Sequence, residues 1–342
     1  MERITLTDAE AASIKSLLAE AESLYASVDE TEFLVDAPVI AHELPRRVRE
    51  FLNDFKQNEP PAGACIVSTG LIKEAELGPT PEHWNCRPEV SPTLKEEILF
   101  CLFNSLLGEV IGWATQQNGY IVHDVVPIES DENEQISTGS GQNIWWHNED
   151  AFHPYRGDYI SLMCLRNPDN VPTTLSPVSQ ARLSASEIES LFKPQFIIRP
   201  DESHGEENGE DCPSDDDTAE KPAVSYDQIN KMQLHPEMLS ILYGDPKSPY
   251  IRIDPFFMEP PKNAKTLSAL NMLIRAMDAS LDEVVLHPGD FLFVDNYRAV
   301  HGRKAFKARY DGTDRWLKRI NVTRDLRKSR DSRESCQSRI IT

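Results

Sequence analysis

The sequence predicts a mostly β fold, a sandwich or jelly roll with helical additions and a helical N-terminal third. From Tyr120 onward the chain breaks into short apolar or alternating runs separated by Gly, Pro, Asn and Asp, the texture of strands joined by turns. Before that point apolar residues recur at helical spacing instead. Few helical patterns interrupt the strand runs, which favours sheet packed on sheet over a doubly wound sheet.

In chain order, Thr7 and Glu10 form a capping-box pattern and Ile14, Leu17, Leu18 and Ala21 follow at helical spacing, so a helix is expected from Thr7 to Tyr25. Val48, Phe51 and Leu52 mark a second over Pro45 to Phe55, and a third is expected over Thr93 to Ala114. The runs YIVHDVVPI, DYISLMCL, PQFIIRP, PYIRIDPFF, EVVLHPGDFLFVD and LKRINVTRD read as strands. Helices interrupt them at Ser184 to Leu191, where Ser184 caps before Glu187, and at Ala264 to Asp278.

The whole chain, 1–342, reads as one domain, with 1–115 mainly helical support, 120–325 the β core, 201–222 an acidic insert and 326–342 a basic tail. The insert DESHGEENGEDCPSDDDTAEKP is nearly free of apolar residues and cannot offset the entropy of ordering it. It is expected to be mobile, either as a lid or as a passive surface loop. The tail is expected to be solvated.

Hydrophobic residues at 39% and charged residues at 27% are a globular mix. A net charge of -21 argues against a nucleic-acid partner and against anionic membranes, and favours a small cationic substrate. Six cysteines without CxxC pairs are expected to be reduced thiols. The N-terminus has no signal-peptide pattern and no long apolar run follows, so a cytoplasmic location is expected. A homo-oligomer is left open.

His147-Asn148-Glu149 follows Trp145 and Trp146 at a plausible strand end. In extended backbone, side chains at i and i+2 share a face, so one imidazole and one carboxylate can grip one ion. The apolar run DFLFVDNYRAVHGR delivers His301 as a third donor. Two imidazoles and a carboxylate with open positions suit non-haem Fe(II), and the same set serves zinc hydrolases. Arg315, fourteen residues after His301, would discriminate: a buried Arg there can hold a dicarboxylate, whereas a surface Arg would pair with Asp314 or Asp311. Trp145 and Trp146 suit either ligand stacking or packing, and Asp295 either orients His301 or caps a turn.

The segments WWHNEDAFHPYRGDYISLMCLRNPDNVPTTL, GDFLFVDNYRAVHGRKAF and RYDGTDRWLKRINVTRDLRKSR resemble the clavaminate synthase-like oxygenases. EFLVDAPVIAHELPRR and GEVIGWATQQNG extend the likeness to the free amino acid hydroxylases of that family, including the arginine 3-hydroxylase of viomycin biosynthesis. The resemblance implies a double-stranded β-helix core with helical additions and a lid. It implies that His147, Glu149 and His301 bind Fe(II), that Arg315 and Thr173 hold 2-oxoglutarate, and that O₂ is consumed. It places Arg319 on the substrate α-carboxylate, Gln116 and Ser137 near its α-amine with the outer oxygen of Glu149, and Asp201 and Ser203 among further substrate contacts.

At the distal end the sequence departs from the resemblance. The viomycin enzyme carries two acids spaced two apart, whereas here Asp254 is followed by Phe256. One carboxylate plus an aromatic face suits an ammonium as well as a guanidinium. The expected activity is therefore hydroxylation of C3 or C4 of L-lysine or L-arginine, with release of succinate and CO₂. An enduracididine-like arginine derivative and zinc hydrolysis are the alternatives, and Phe256 could instead be an ordinary core residue.

Overall fold

The structure is a computed structural model that describes residues 1–88, 90–205 and 225–342. The N-terminal part comprises β1 (Glu2–Thr5), α1 (Asp8–Leu24), α2 (Thr31–Ile40), α3 (Arg46–Asn58), β2 (Ala64–Ser68), α4 (Leu94–Ser105) and β3 (Glu109–Trp113). Then follow β4 (His123–Val125), β5 (Ile144–His147), β6 (Tyr159–Arg166), β7 (Thr173–Pro177), α5 (Ala185–Leu191) and β8 (Ile197–Ile198). After the undescribed stretch come α6 (Asp227–Leu234), β9 (Leu242–Asp245), β10 (Ser248–Ile251), β11 (Met258–Glu259) and α7 (Ala264–Ala279). The chain finishes with β12 (Asp282–Val284), β13 (Asp290–Asp295), β14 (Ala299–Arg303), β15 (Trp316–Thr323) and β16 (Ile340–Ile341).

The fold is mostly sheet with helices. An eight-stranded sheet runs β1-β2-β13-β6-β15-β3-β16 with β4 on β15, and a four-stranded sheet runs β12-β7-β14-β5. Strand alternation explains how the large sheet separates two cores. Phe291, Phe293, Met163, Leu165, Trp316 and Ile320 face the helices, packing with Ile98, Phe100 and Phe103 of α4. Leu292, Val294, Ile160, Leu162, Cys164 and Leu317 face the other way, onto Leu175 and Ala299 of the small sheet. A third core covers the far side of the small sheet, where Val300 meets Leu270, Leu273 and Met277 of α7. Each fully buried side chain of this size stabilises the fold by roughly 1.5–3 kcal/mol.

The capping box predicted at Thr7 forms: Thr7 Oγ1 accepts from the Glu10 N–H, and the Glu10 carboxylate accepts from the Thr7 N–H. The helix expected to run to Ala114 stops at Ser105 instead. Gly108 passes so close to β15 that a Cβ would lie 2.3 Å from the Thr323 carbonyl oxygen. Glu109, Val110 and Ile111 then pair antiparallel with Thr323, Val322 and Asn321, so tertiary pairing overrides the local helical spacing.

The C-terminus also differs from expectation. Rather than a solvated tail, it turns back so that Ile340 and Ile341 pair parallel with Gly112 and Trp113. Arg333 directs the turn, donating to the carbonyls of Leu326, Ser335, Cys336 and Ser338 and to Ser329 Oγ. Cys65, Cys101 and Cys164 are buried free thiols and Cys336 an exposed one. Cys86 departs from the expectation of reduced cysteines, being disulfide-bonded. The expected mobile insert falls outside the described residues from position 206 onward, Cys212 included. Among the described residues no helix is long and apolar enough to cross a membrane.

Candidate active site

β5 ends at His147, and its antiparallel neighbour β14 places His301 directly opposite. The turn after β5 brings Glu149 back towards both imidazoles. His147 Nε2 lies 3.6 Å and His301 Nε2 3.3 Å from Glu149 Oε2. His147 Nδ1 lies 2.9 Å from the Trp145 carbonyl oxygen, which puts its proton on Nδ1 and leaves Nε2 as a donor atom directed at the centre. The donor atoms of the three residues all lie within 4.8 Å of one another. Two imidazole nitrogens and one carboxylate oxygen converging on one point form a donor set that fits a divalent ion with open positions.

Two asparagines fix this turn. Asn148 Nδ2 donates to the carbonyls of Asn296 and Ala299, while Asn296 Nδ2 donates to the carbonyls of Glu149 and Gly157. Asn296 Oδ1 accepts from the Glu149 N–H. The Glu149 backbone is thereby tied to the turn that precedes β14. Asp295 caps that turn, accepting from the Tyr297 N–H, and does not orient His301, whose Nδ1 is buried without a partner. Trp146 is buried and bonded to Asp278, whereas Trp145 stands 40% exposed at the cavity rim.

Burial opposes ionisation of Glu149, but Arg319 and the two imidazoles hold its pKa well below the ordinary carboxylate range. Burial opposes protonation of His147, yet Glu149 and Asp254 lift its pKa to about 9, while burial keeps that of His301 low. Glu149 is thus held as a carboxylate at the centre, and it and Asp254 favour positive charge beside it.

β15 aims Arg315, Leu317 and Arg319 into the same cavity as His147, Glu149 and His301. Arg315 is 5% exposed, and no carboxylate pairs with it among the described residues. Asp314 instead accepts from the backbone N–H groups of Arg309 and Tyr310, and Asp311 from Thr313. Burial lowers the Arg315 pKa to about 10. Thr173 of β7 is buried and lines the same cavity.

Arg319 sits deeper. One terminal nitrogen contacts Glu149 Oε1, the other donates to Gln116 Oε1 at 3.2 Å and meets His123 Nδ1 at 2.8 Å, and its Nε is buried without a partner. Gln116 lies behind Arg319 in an adjoining polar chamber with His123, and Ser137 lines both chambers. Gln116 Nε2 also donates to Ser203 Oγ at 2.6 Å.

Asp254, Phe256, Asp201 and Ser203 also line the cavity, Ser203 on the side of Gln116. Asp254 Oδ1 accepts from the N–H groups of Phe256 and Phe257. Burial pushes the Asp254 pKa up to about 6; His147 pulls it down and Asp201 pushes it up further. No lysine or arginine pairs with Asp254 among the described residues. Phe256 is 49% exposed on the cavity wall, which sets aside the core-residue alternative.

Three residues of this region escaped the sequence reading. Arg303 lines the cavity beside Thr173. His204 is wholly buried, its Nδ1 2.6 Å from Thr115 Oγ1 and its Nε2 3.0 Å from Asp150 Oδ1, with Trp113 and Phe152 packed edge-on to the ring. His123 braces Arg319. The segment around His204 is polar and acidic, so only the tertiary structure reveals a buried ring there.

Known proteins are similar to this chain. The chain is 42% identical to enduracididine beta-hydroxylase of Streptomyces hygroscopicus over 98% of both proteins. It is 40% identical to L-ornithine/L-arginine 3-hydroxylase of Catenulispora acidiphila over 100% of both. Among solved structures it is similar to the non-heme iron oxygenase OrfP in complex with Fe, succinate and (3S)-hydroxy-L-Arg, with TM-score 0.92, 43% identity and full coverage of both chains. Residues 100–321 match the model of the taurine catabolism dioxygenase TauD, TfdA family. The chain belongs to that family.

Proposed function

We propose that this protein hydroxylates C3 or C4 in the side chain of a free cationic L-amino acid, L-lysine or L-arginine, while 2-oxoglutarate is converted to succinate and CO₂. The chain is an oxygenase of its family, with iron(II), 2-oxoglutarate and O₂ as its cofactor and co-substrates. The observation that carries the reading is Arg315: a buried guanidinium without an acid, beside a His, Glu, His centre, demands an anionic co-substrate that zinc hydrolysis would not use. The iron and 2-oxoglutarate supply the activation of O₂ when bound. The side chains supply position. His147, Glu149 and His301 hold the metal, and Arg315 with Thr173 takes the far carboxylate of 2-oxoglutarate.

Arg319 offers its unpartnered Nε to the α-carboxylate of the substrate, and the outer oxygen of Glu149 with Ser137 receives the α-amine, while Gln116, expected beside that amine, braces Arg319 from the adjoining chamber. Asp254, with Phe256 beside it, takes the distal cation, and Asp201 and Ser203 wall the space between. With both ends held, the carbon presented to the metal is set by register, and a displacement of about an ångström would change the product. The two packed sheets are read as a double-stranded β-helix within a single cytoplasmic domain with a helical N-terminal third. Incubation with Fe(II), 2-oxoglutarate and each of L-lysine, L-arginine and enduracididine, followed by mass spectrometry, should show gain of one oxygen atom. The open, aromatic distal end makes the cyclic guanidine a second candidate. Absence of succinate with every cationic amino acid would overturn the reading.

A further inference from the structure

A further buried cation lines the cavity besides Arg315 and Arg319. On β14, His301 and Arg303 are two residues apart and so project from the same face, towards the large sheet. Arg303 stands in register opposite Thr173 of β7, which places the two side chains next to each other on that face. Gly302 between them allows close packing: a Cβ there would lie 2.6 Å from the Ile144 carbonyl oxygen and 2.9 Å from Thr174 Oγ1.

Arg303 is 4% exposed, and its Nε and Nη1 are buried with no partner. Nη2 donates to the Gln142 carbonyl at 3.1 Å, and the guanidinium carbon lies 5.0 Å from the centre of the Phe306 ring. No carboxylate pairs with it among the described residues. A carbonyl and an aromatic face do not neutralise a guanidinium, and a buried unpaired charge is unfavourable. Arg315 lines the same cavity in the same unpaired condition. Two such cations around a wall of Leu162, Leu317 and Thr173 call for an anion able to accept from both, and one carboxylate has acceptor sites enough.

We propose that Arg303 is a second cation for the far carboxylate of 2-oxoglutarate, gripping it from β14 while Arg315 grips it from β15. This rests on the oxygenase reading above. If Arg303 served only to pack against Phe306 and the Gln142 carbonyl, its loss would act on stability and on every ligand alike.

The two cases separate by calorimetry on the anaerobic Fe(II)-loaded protein, titrated with 2-oxoglutarate and with 2-oxopentanoate, which keeps the keto acid and lacks the far carboxylate. R303M should weaken 2-oxoglutarate at least about tenfold and leave 2-oxopentanoate within about twofold, with R303K recovering part of the loss. Should R303M fail to fold, R303Q takes its place with the same selective loss expected. Equal loss for both acids, or wild-type affinity for 2-oxoglutarate in the variant, would overturn the inference. Wild-type protein that binds neither acid would overturn the oxygenase reading itself.

Discussion

Replacement of Asp254 by Asn tests how the substrate is chosen. Asp254 is buried, and one of its oxygens accepts from the Phe256 and Phe257 N–H groups. An Asn oxygen can keep both bonds, so the fold should survive with little change in melting temperature. What disappears is the charge at the end of the cavity. A hydrogen bond between charged groups contributes about 1.5–3 kcal/mol. At 1.4 kcal/mol per tenfold, D254N should lower kcat/KM for L-lysine or L-arginine by roughly 10- to 150-fold. The control is a neutral isostere such as citrulline, whose turnover, however slow, should be unchanged by the substitution. Initial rates of succinate release with both amino acids would measure this. Equal losses for the charged and neutral substrates, or no loss for either, would refute the placement of the cation on Asp254.

His204 anchors the segment bearing Asp201 and Ser203 through Asp150 and Thr115. H204A should raise KM for the amino acid roughly tenfold, equivalent to 1.4 kcal/mol, leave 2-oxoglutarate affinity unchanged, and increase succinate formed per hydroxylated product. Burial lifts the Asp295 pKa to about 7, so between the ordinary carboxylate range and pH 7 the native state holds a proton that the unfolded chain releases. Stability should therefore fall as pH rises through that window, and D295N should be more stable by roughly 2–4 kcal/mol at pH 8 and by little near pH 4. Denaturant melts across pH would show the difference. Deleting Ile340 to Thr342 exposes Trp113 and removes buried Ile341, a loss of roughly 2–4 kcal/mol readable as a lower melting temperature.

The candidate metal donors were legible because His147 and Glu149 are close in sequence and an apolar strand announces His301. Arg315 was visible as a residue but not as a buried one, since spacing alone cannot say that Asp314 and Asp311 turn to backbone groups instead. The positions of Arg319, Asp254 and the Asp201 segment entered through family resemblance, and their geometry adds that Gln116 stands behind Arg319 rather than in the main cavity. The early end of α4, the return of the C-terminus onto β3 and the burial of His204 all depend on contacts between residues far apart in the chain. Apolar periodicity records which face a residue prefers and carries no information about partners at that distance. Arg303 was overlooked for a related reason: its significance lies in the partners it lacks.

The proposed function couples O₂ and 2-oxoglutarate to hydroxylation of a cationic amino acid at the His147, Glu149, His301 centre. Its most direct test is turnover of the Fe(II)-reconstituted protein with isotopically labelled O₂, read by mass spectrometry of product and succinate. Label in the hydroxylated amino acid and in succinate, at equal amounts, lost in H147A and not supported by zinc, is the predicted result. Unlabelled product, product without succinate, or full activity in H147A would contradict it.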